Sequence, residues 1–337
     1  MTASSATKSV QDSVLLLEGV DVSFRARGTT LDIVKNVSLS LTCGRTLCLV
    51  GESGCGKTTL SMAIVGLLPD NARVRGRIEF VGANIAQLSD AQMNEIRGRH
   101  IGVVFQDPAR ALNPVFTVGY QIVEVLERHL PLSRRQAVAR AADLLVEVGI
   151  SDPELRLQQY PHELSGGLKQ RVMIAMAIAC EPQLLIADEP TTALDVTIQR
   201  QVLKLLRRLS IQRNLSLVLV THDFGVVAAM ADEVAVMYAG RIVERGDVVD
   251  VFHSPKHPYT QALLAANPRR ILDADDRTLK LEPIAGAPPS PAERSEGCDF
   301  APRCRYRKPE CDTVPALTGK LQHSVACWAA TEAGARD

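Results

Sequence analysis

Gly51-Glu52-Ser53-Gly54-Cys55-Gly56-Lys57-Thr58-Thr59 has the G-x4-G-K-[ST] spacing of a phosphate-binding loop. Gly51, Gly54 and Gly56 let backbone N–H groups turn inward around a phosphate. A helix starting at Lys57 would aim its positive dipole end at the same point. Lys57 would reach the β- and γ-phosphates of a nucleoside triphosphate, and the Thr58 hydroxyl would sit on Mg²⁺. Ser53, Cys55 and Thr59 complete the loop. Cys55 lies beside Lys57 and a helix N-terminus, so its thiolate is expected to be favoured. A second turn, Leu164-Ser165-Gly166-Gly167, opens an apolar helix and offers another backbone anion site. Asp188-Glu189 and His222 each follow an apolar run.

Cys298, Cys304, Cys311 and Cys327 are spaced C-x5-C-x6-C-x15-C. Four thiolates from one loop-rich segment suit a tetrahedral or cubane site. Structural zinc usually uses close C-x2-4-C pairs, and this segment has none. Uneven spacing with a distant fourth ligand is easier to reconcile with an iron–sulfur cluster. The segment has few large apolar residues, so metal ligation would supply folding energy. A [4Fe–4S] cluster is the first expectation, zinc the second, and free or disulfide-linked thiols the third.

These groups need rigid elements behind them. Leu47–Val50 reads as a buried strand feeding the loop, with Leu60, Ile64 and Leu67 at helical spacing after it. Val14–Phe24 and Leu31–Leu41, separated by a turn at Gly28, read as strands of a small antiparallel sheet, with Val37, Leu39 and Leu41 on one face. Phe24 is either core or a platform for a base. Ile101–Phe105 is a buried strand ending at Gln106. Val118–Leu130 and Arg134–Val148 have helical spacing and form an insertion between strand-bearing regions. Leu184–Ala187 and Leu217–Val220 read as parallel strands, so Asp188, Glu189 and His222 sit at carboxyl ends, where doubly wound sheets bind ligands. Ile198–Arg213 is a helix, and Val234–Tyr238 with Arg241–Arg245 a hairpin.

The 337 residues suffice for two or three subdomains. Lys and Arg balance Asp and Glu, 38 each, so no long-range field favours nucleic acid. No apolar run approaches the roughly 18 residues of a spanning helix. Residues 1–13 read as a flexible leader without an apolar signal core, which leads to an expectation of a cytoplasmic protein. From about Phe252 prolines accumulate, and the tail reads as a separate module with a short helix near Tyr259–Ala265.

Phosphate loop, Gln106, Leu-Ser-Gly-Gly, Asp188-Glu189 and His222, in that order, resemble the ATP-binding cassette (ABC) family over Leu15–Phe252. The resemblance implies an α/β P-loop ABC ATPase fold: a RecA-like core, an antiparallel β subdomain, a helical insertion at about 107–180, and a loop-rich cysteine-containing extension at 253–337. It implies an ATPase whose cassettes, here 14–252, pair head to tail. Thr58 and Asp188 would hold Mg²⁺, Glu189 would be the general base, and Gln106 would sense Mg²⁺ and water. His222 would contact the γ-phosphate, and Asp195 would bridge two cassettes. Ser165, Gly166 and Gly167 would complete the partner's site. Asp107–Val118 resembles part of the groove that receives a permease's coupling helix. Thr191-Thr192-Ala193 departs from the family's Thr-Ser-Ala or Thr-Ala-Ala, which would serve equally well.

The tail narrows the resemblance. Ser254–Leu264, Gly286–Pro291 and Cys298-Asp299-Phe300-Ala301-Pro302-Arg303-Cys304 look like the C-terminal extension of oligopeptide and dipeptide permease ATPases, which also favours the [4Fe–4S] reading. That implies short-peptide import with a second, non-identical ATPase chain, two transmembrane permeases and an extracytoplasmic peptide-binding protein. The chain would sit on the cytoplasmic face of the membrane through its permeases, without nucleic acid. Nickel or another small substrate is an alternative. A soluble non-transport ABC ATPase is a further one, which the single cassette without sustained heptads disfavours.

Overall fold

The computed structural model describes residues 13–26, 28–192, 194–266, 284–320 and 322–330. Almost all of the leader, and parts of the extension, therefore lie outside the described residues. Contacts divide the chain into two compact units.

The first unit holds Gln87–Val220 and Leu41–Arg45. Its strands β6 (Ile101–Val104), β7 (Leu184–Asp188) and β8 (Ser216–Thr221) are parallel, with Ile101 opposite Leu184 and Leu184 opposite Ser216. Every residue of β7 and β8 is buried, as expected of a parallel sheet covered on both faces. Between β6 and β7 the chain forms the expected helical insertion, including Val118–His129 and Arg134–Glu147. Ala137, Leu144 and Leu145, each three or four residues from Ala141, supply with it the buried stripe of the second helix. Arg213, at the end of helix Val196–Arg213, forks onto Glu147 at 2.8 and 2.6 Å and fastens the insertion.

The second unit holds Leu15–Ser40, Thr46–Ala86 and the chain from Thr221 onward. Strands β1 (Ser13–Ala26), β2 (Thr29–Thr42), β4 (Ala72–Phe80) and β5 (Ala83–Asn84) form an antiparallel sheet in the order β2-β1-β4-β5. Val37, Leu39 and Leu41 are buried on β2, as their alternation predicts. Strand β3 (Thr46–Val50) runs parallel to β9 (Glu233–Tyr238), and β9 turns at Ala239-Gly240 into β10 (Arg241–Asp247). Two short strands of the extension, β11 (Thr318–Lys320) and β12 (His323–Val325), continue the ladder from β10. Their three-residue length left no period to read.

The extension is not a module apart. The Glu244 carboxylate on β10, fully buried, accepts from the backbone N–H of Lys256 and His257 and pairs with His323 Nε2 at 2.7 Å. A buried carboxylate must be satisfied, and here the extension satisfies it. His257 Nδ1 in turn accepts from Tyr259 N–H and caps helix Pro258–Ala265.

Candidate functional site

Strand β3 delivers Gly51 into a crowded position: a Cβ there would lie 2.1 Å from the Met237 carbonyl oxygen. Gly56 caps helix Lys57–Ile64 at φ 108°, in the left-handed region. Ser53, Gly54 and Thr58 are exposed and Thr59 is half-buried. Lys57 is buried, and its Nζ donates to the carbonyls of Gly51 (2.7 Å) and Glu52 (3.0 Å).

Glu52 is held from two further sides. Its N–H donates to Tyr259 Oη at 2.8 Å, and its carboxylate accepts the Arg303 fork at 2.7 and 3.0 Å. Cys55 departs from the sequence expectation. Burial pushes its thiol up, outweighing the Lys57 charge that pulls it down. It is a buried packing residue with its sulfur toward Lys57 Nζ at 3.7 Å. Phe24, opposite Ala72 near the end of β1, is half-buried and so outside the closed core. His222, just beyond β8, is exposed.

In the first unit, Asp188 ends β7 with 3% of its surface exposed. Glu189 follows with φ 44°, a left-handed backbone uncommon for a residue with a side chain. Its N–H donates to the Val220 carbonyl. Its Oε2 accepts from Gln106 Nε2 at 3.2 Å and Thr192 Oγ1 at 2.8 Å. Gln106 and Glu189, distant in sequence, thus meet at the carboxyl ends of neighbouring strands. The Thr192 bond corrects the expectation that Thr-Ala-Ala would serve equally: serine keeps this donor and alanine deletes it. Ser165 is exposed and caps helix Gly166–Ile178, accepting from Leu168 N–H at 3.4 Å. Gly166 is exposed and Gly167 half-buried. Asp195 is exposed and caps helix Val196–Arg213 through Ile198 N–H.

The four tail cysteines come near one another. Burial raises the thiols of Cys298 and Cys327 to about 11 and raises Cys304, and neighbouring thiols add to each rise. Tyr306 N–H donates to Cys304 Sγ (3.4 Å) and Ala329 N–H to Cys327 Sγ (3.3 Å), while the amides of Phe300 and Ala301 support Cys298. None of the four is in a disulfide. Among the described residues, however, no group of three or more His, Cys, Asp or Glu side chains is arranged to hold a metal ion. The thiols are close enough to feel each other's charge without being drawn into one coordination sphere, so neither the cluster nor the zinc centre is borne out as a formed site.

Comparison with known proteins decides the family. The ABC transporter model matches residues 34–192, and that of the oligopeptide/dipeptide transporter C-terminal region matches 243–311. The dipeptide transport ATP-binding protein DppD of Bacillus subtilis (strain 168) is 48% identical over 321 residues, covering 94% of this chain and 95% of that protein. The chain belongs to the ABC transporter ATPases of the oligopeptide/dipeptide group. DppD of Escherichia coli (strain K12) is 45% identical over 307 residues, covering 90% and 93%. Among solved structures, the dimeric cassette MJ0796 in a post-hydrolysis state bound to ADP and Pi is 26% identical, with TM-score 0.63 over 69% of this chain and 98% of that one. CbiO1 of Clostridium perfringens, part of the cbiONQ complex, is 29% identical with TM-score 0.61 over 72% and 91%. The chain is thus an ATPase cassette.

Three residues of this cassette's sites escaped the sequence reading. For Thr192 the only signal in the sequence is its place three residues after Glu189. Arg303 lies inside the Cys298–Cys304 run and Tyr259 at the start of a helix. Both contact Glu52, a position the phosphate-loop pattern leaves open, so that pattern does not mark them.

Proposed function

We propose that this chain couples ATP binding and hydrolysis at a cassette–cassette interface to uptake of short peptides through membrane permeases. The observation that carries the reading is the joint match of cassette and peptide-transporter extension in one chain, at near full coverage of a dipeptide-transport relative. Residues 14–252 form the cassette, with the helical subdomain at about 107–180, after a leader at 1–13; residues 253–337 form the extension. Lys57 and the loop amides other than Glu52 N–H bind the phosphates, and Phe24 stacks on the base. Glu189 takes a proton from the attacking water, with Gln106 and Thr192 fixing its carboxylate. His222 contacts the γ-phosphate. Ser165, Gly166, Gly167 and Asp195 complete the site of a second, non-identical cassette. ATP contacts both halves and favours the closed pair; hydrolysis removes that bridge.

Thr58 and Asp188 would hold Mg²⁺, which supplies charge neutralisation on the phosphates. A hydroxyl and a carboxylate are hard oxygen donors that suit this ion, which needs only one or two protein ligands beside substrate phosphates. Cys298, Cys304, Cys311 and Cys327 would hold a [4Fe–4S] cluster in a structural role, with zinc second. Four thiols, three of them supported by amides from the following residues, fit such a group in kind. Binding requires drawing them together and removing protons that burial retains. Among the described residues no helix is long and apolar enough to cross a membrane. The chain would attach peripherally at the cytoplasmic face through two permeases, fed by an extracytoplasmic peptide-binding protein.

The test is reconstitution with the permeases and binding protein of the same transporter in vesicles. ATP-dependent uptake of labelled dipeptide supports the reading. ATPase activity that drives nickel uptake and not peptide uptake would replace the substrate, and stoichiometric zinc without iron would replace the cluster.

A further inference from the structure

Glu52 is an open position of the phosphate loop, yet every polar group of it with a partner described above is in use. Its carbonyl accepts Lys57 Nζ. Its N–H reaches Tyr259 Oη, and its carboxylate takes two bonds from Arg303. Both anchors belong to the extension. The Arg303 side chain is only 6% exposed and the Glu52 side chain 23%, so the pair is largely withdrawn from water.

Arg303 is itself fixed. Its Nε donates to the Ala285 carbonyl at 2.8 Å and an Nη to the Gly286 carbonyl at 3.3 Å. The other Nη also reaches Tyr238 Oη at 3.3 Å. The guanidinium lies 5.8 Å from the Tyr238 ring and 5.9 Å from the Phe300 ring. Tyr259 is fully buried, with ring centroids 4.6 Å from Tyr238 and 5.4 Å from Phe300. Phe300 and Arg303 stand between Cys298 and Cys304, so the loop joining two of the four thiols carries the contacts that grip the phosphate loop. Bidentate guanidinium–carboxylate pairs fix angle as well as distance, which a lysine cannot reproduce.

We infer that Arg303 and Tyr259 are positioning residues of the nucleotide site: through Glu52 they hold the phosphate loop in its binding shape, and nucleotide binding is thereby coupled to the packing of the Cys298–Cys304 loop. Arg303 grips the Glu52 side chain and Tyr259 its backbone N–H, and the carbonyl of the same residue accepts Lys57 Nζ. The inference rests on the cassette reading above. Coupling between sites is reciprocal, so ATP must tighten the cysteine loop to the degree that the loop tightens ATP.

The experiment uses the full chain purified as it is, with two readouts: Mg-ATP affinity, and amide hydrogen exchange over 298–304 with and without saturating Mg-ATP. In the wild type, ATP is expected to slow exchange in this loop severalfold. Arg303→Gln is expected to weaken ATP binding about tenfold, within the usual range of site–site coupling, and to abolish the ATP effect on exchange. Arg303→Lys should recover only part of both. Tyr259→Phe keeps the ring and loses the bond to Glu52 N–H, and should show a smaller loss of affinity. Glu52→Gln combined with Arg303→Gln should cost no more than Arg303→Gln alone, because the Glu52 change breaks a contact that the Arg303 change has already removed. Wild-type exchange over 298–304 that ignores ATP overturns the coupling, and this comparison needs no variant to fold. Arg303→Gln with unchanged ATP affinity overturns the positioning role. A wild-type chain that binds no ATP overturns the cassette reading itself, and this inference with it.

Discussion

The two units hold their glycine-containing turns differently. In the second unit the loop Gly51–Thr59 is fastened: Lys57 is buried on two carbonyls, and Glu52 is held by Tyr259 and Arg303. In the first unit the turn at Ser165 is exposed and carries one long capping bond, and Gln106 and Asp195 are exposed as well. A binding loop gains from being held in shape before its ligand arrives, because the ordering cost is then already met. A turn that serves another molecule's nucleotide gains from being open. On the function proposed above, the fastened loop binds this chain's ATP, and the open turn is the one offered to a second cassette.

The sharpest way to break that contrast is at Glu189. Glu189→Gln should leave Mg-ATP affinity near wild type and lower turnover of the assembled transporter by about 10²–10⁴-fold, the usual cost of losing a general base. Turnover at the wild-type rate would remove Glu189 from the chemistry and leave the first unit without its reactive group.

The fastened side can be loosened by pH. Burial depresses the His257 imidazole to about 4 from 6.5, with Glu244 only partly opposing this. Its Nδ1 accepts the Tyr259 N–H, which requires the neutral ring. The unfolded chain therefore binds this proton first. The stability contributed by the neutral ring is present above pH 6.5 and is lost as pH falls from there toward 4, by up to about 3 kcal/mol at 1.36 kcal/mol per pH unit. Denaturant melts at pH 7 and pH 5 should show this loss, and His257→Asn should flatten it. An equally steep profile in the variant would assign the dependence to other groups.

The smallest expected effect is on the open side. Ser165→Ala removes one exposed cap, so its cost in stability should be about 0.5–1 kcal/mol, at the low end for caps. A loss above about 2 kcal/mol in a denaturant melt would mean that the turn is built for this chain's own folding.

The fastened and open turns were unequally legible in the sequence. Gly51–Thr59, Leu164–Gly167 and Asp188-Glu189 announce themselves because backbone geometry and strand ends dictate residue types at fixed spacing. The strands and helices behind them follow from hydrophobic period, as Val37, Leu39 and Leu41 show. What holds Glu52 was illegible, since Tyr259 and Arg303 reach it from more than 200 positions away. Cys55 misled for a related reason. Lys57 and a helix end argue for a thiolate, but the sequence does not reveal the burial that wins. The extension looked like a module apart because its strands are three residues long, too short to show the ladder that joins them to β10.

The central claim is that the fastened loop binds this chain's ATP while the open turn serves the partner's. It is tested most directly by trapping photoreactive Mg-ATP on the assembled cassette pair and measuring the label on each chain. Lys57→Ala should empty this chain and leave label on its partner; Ser165→Ala should do the reverse. A Ser165→Ala variant that loses label from its own chain and keeps it on the partner would contradict the account.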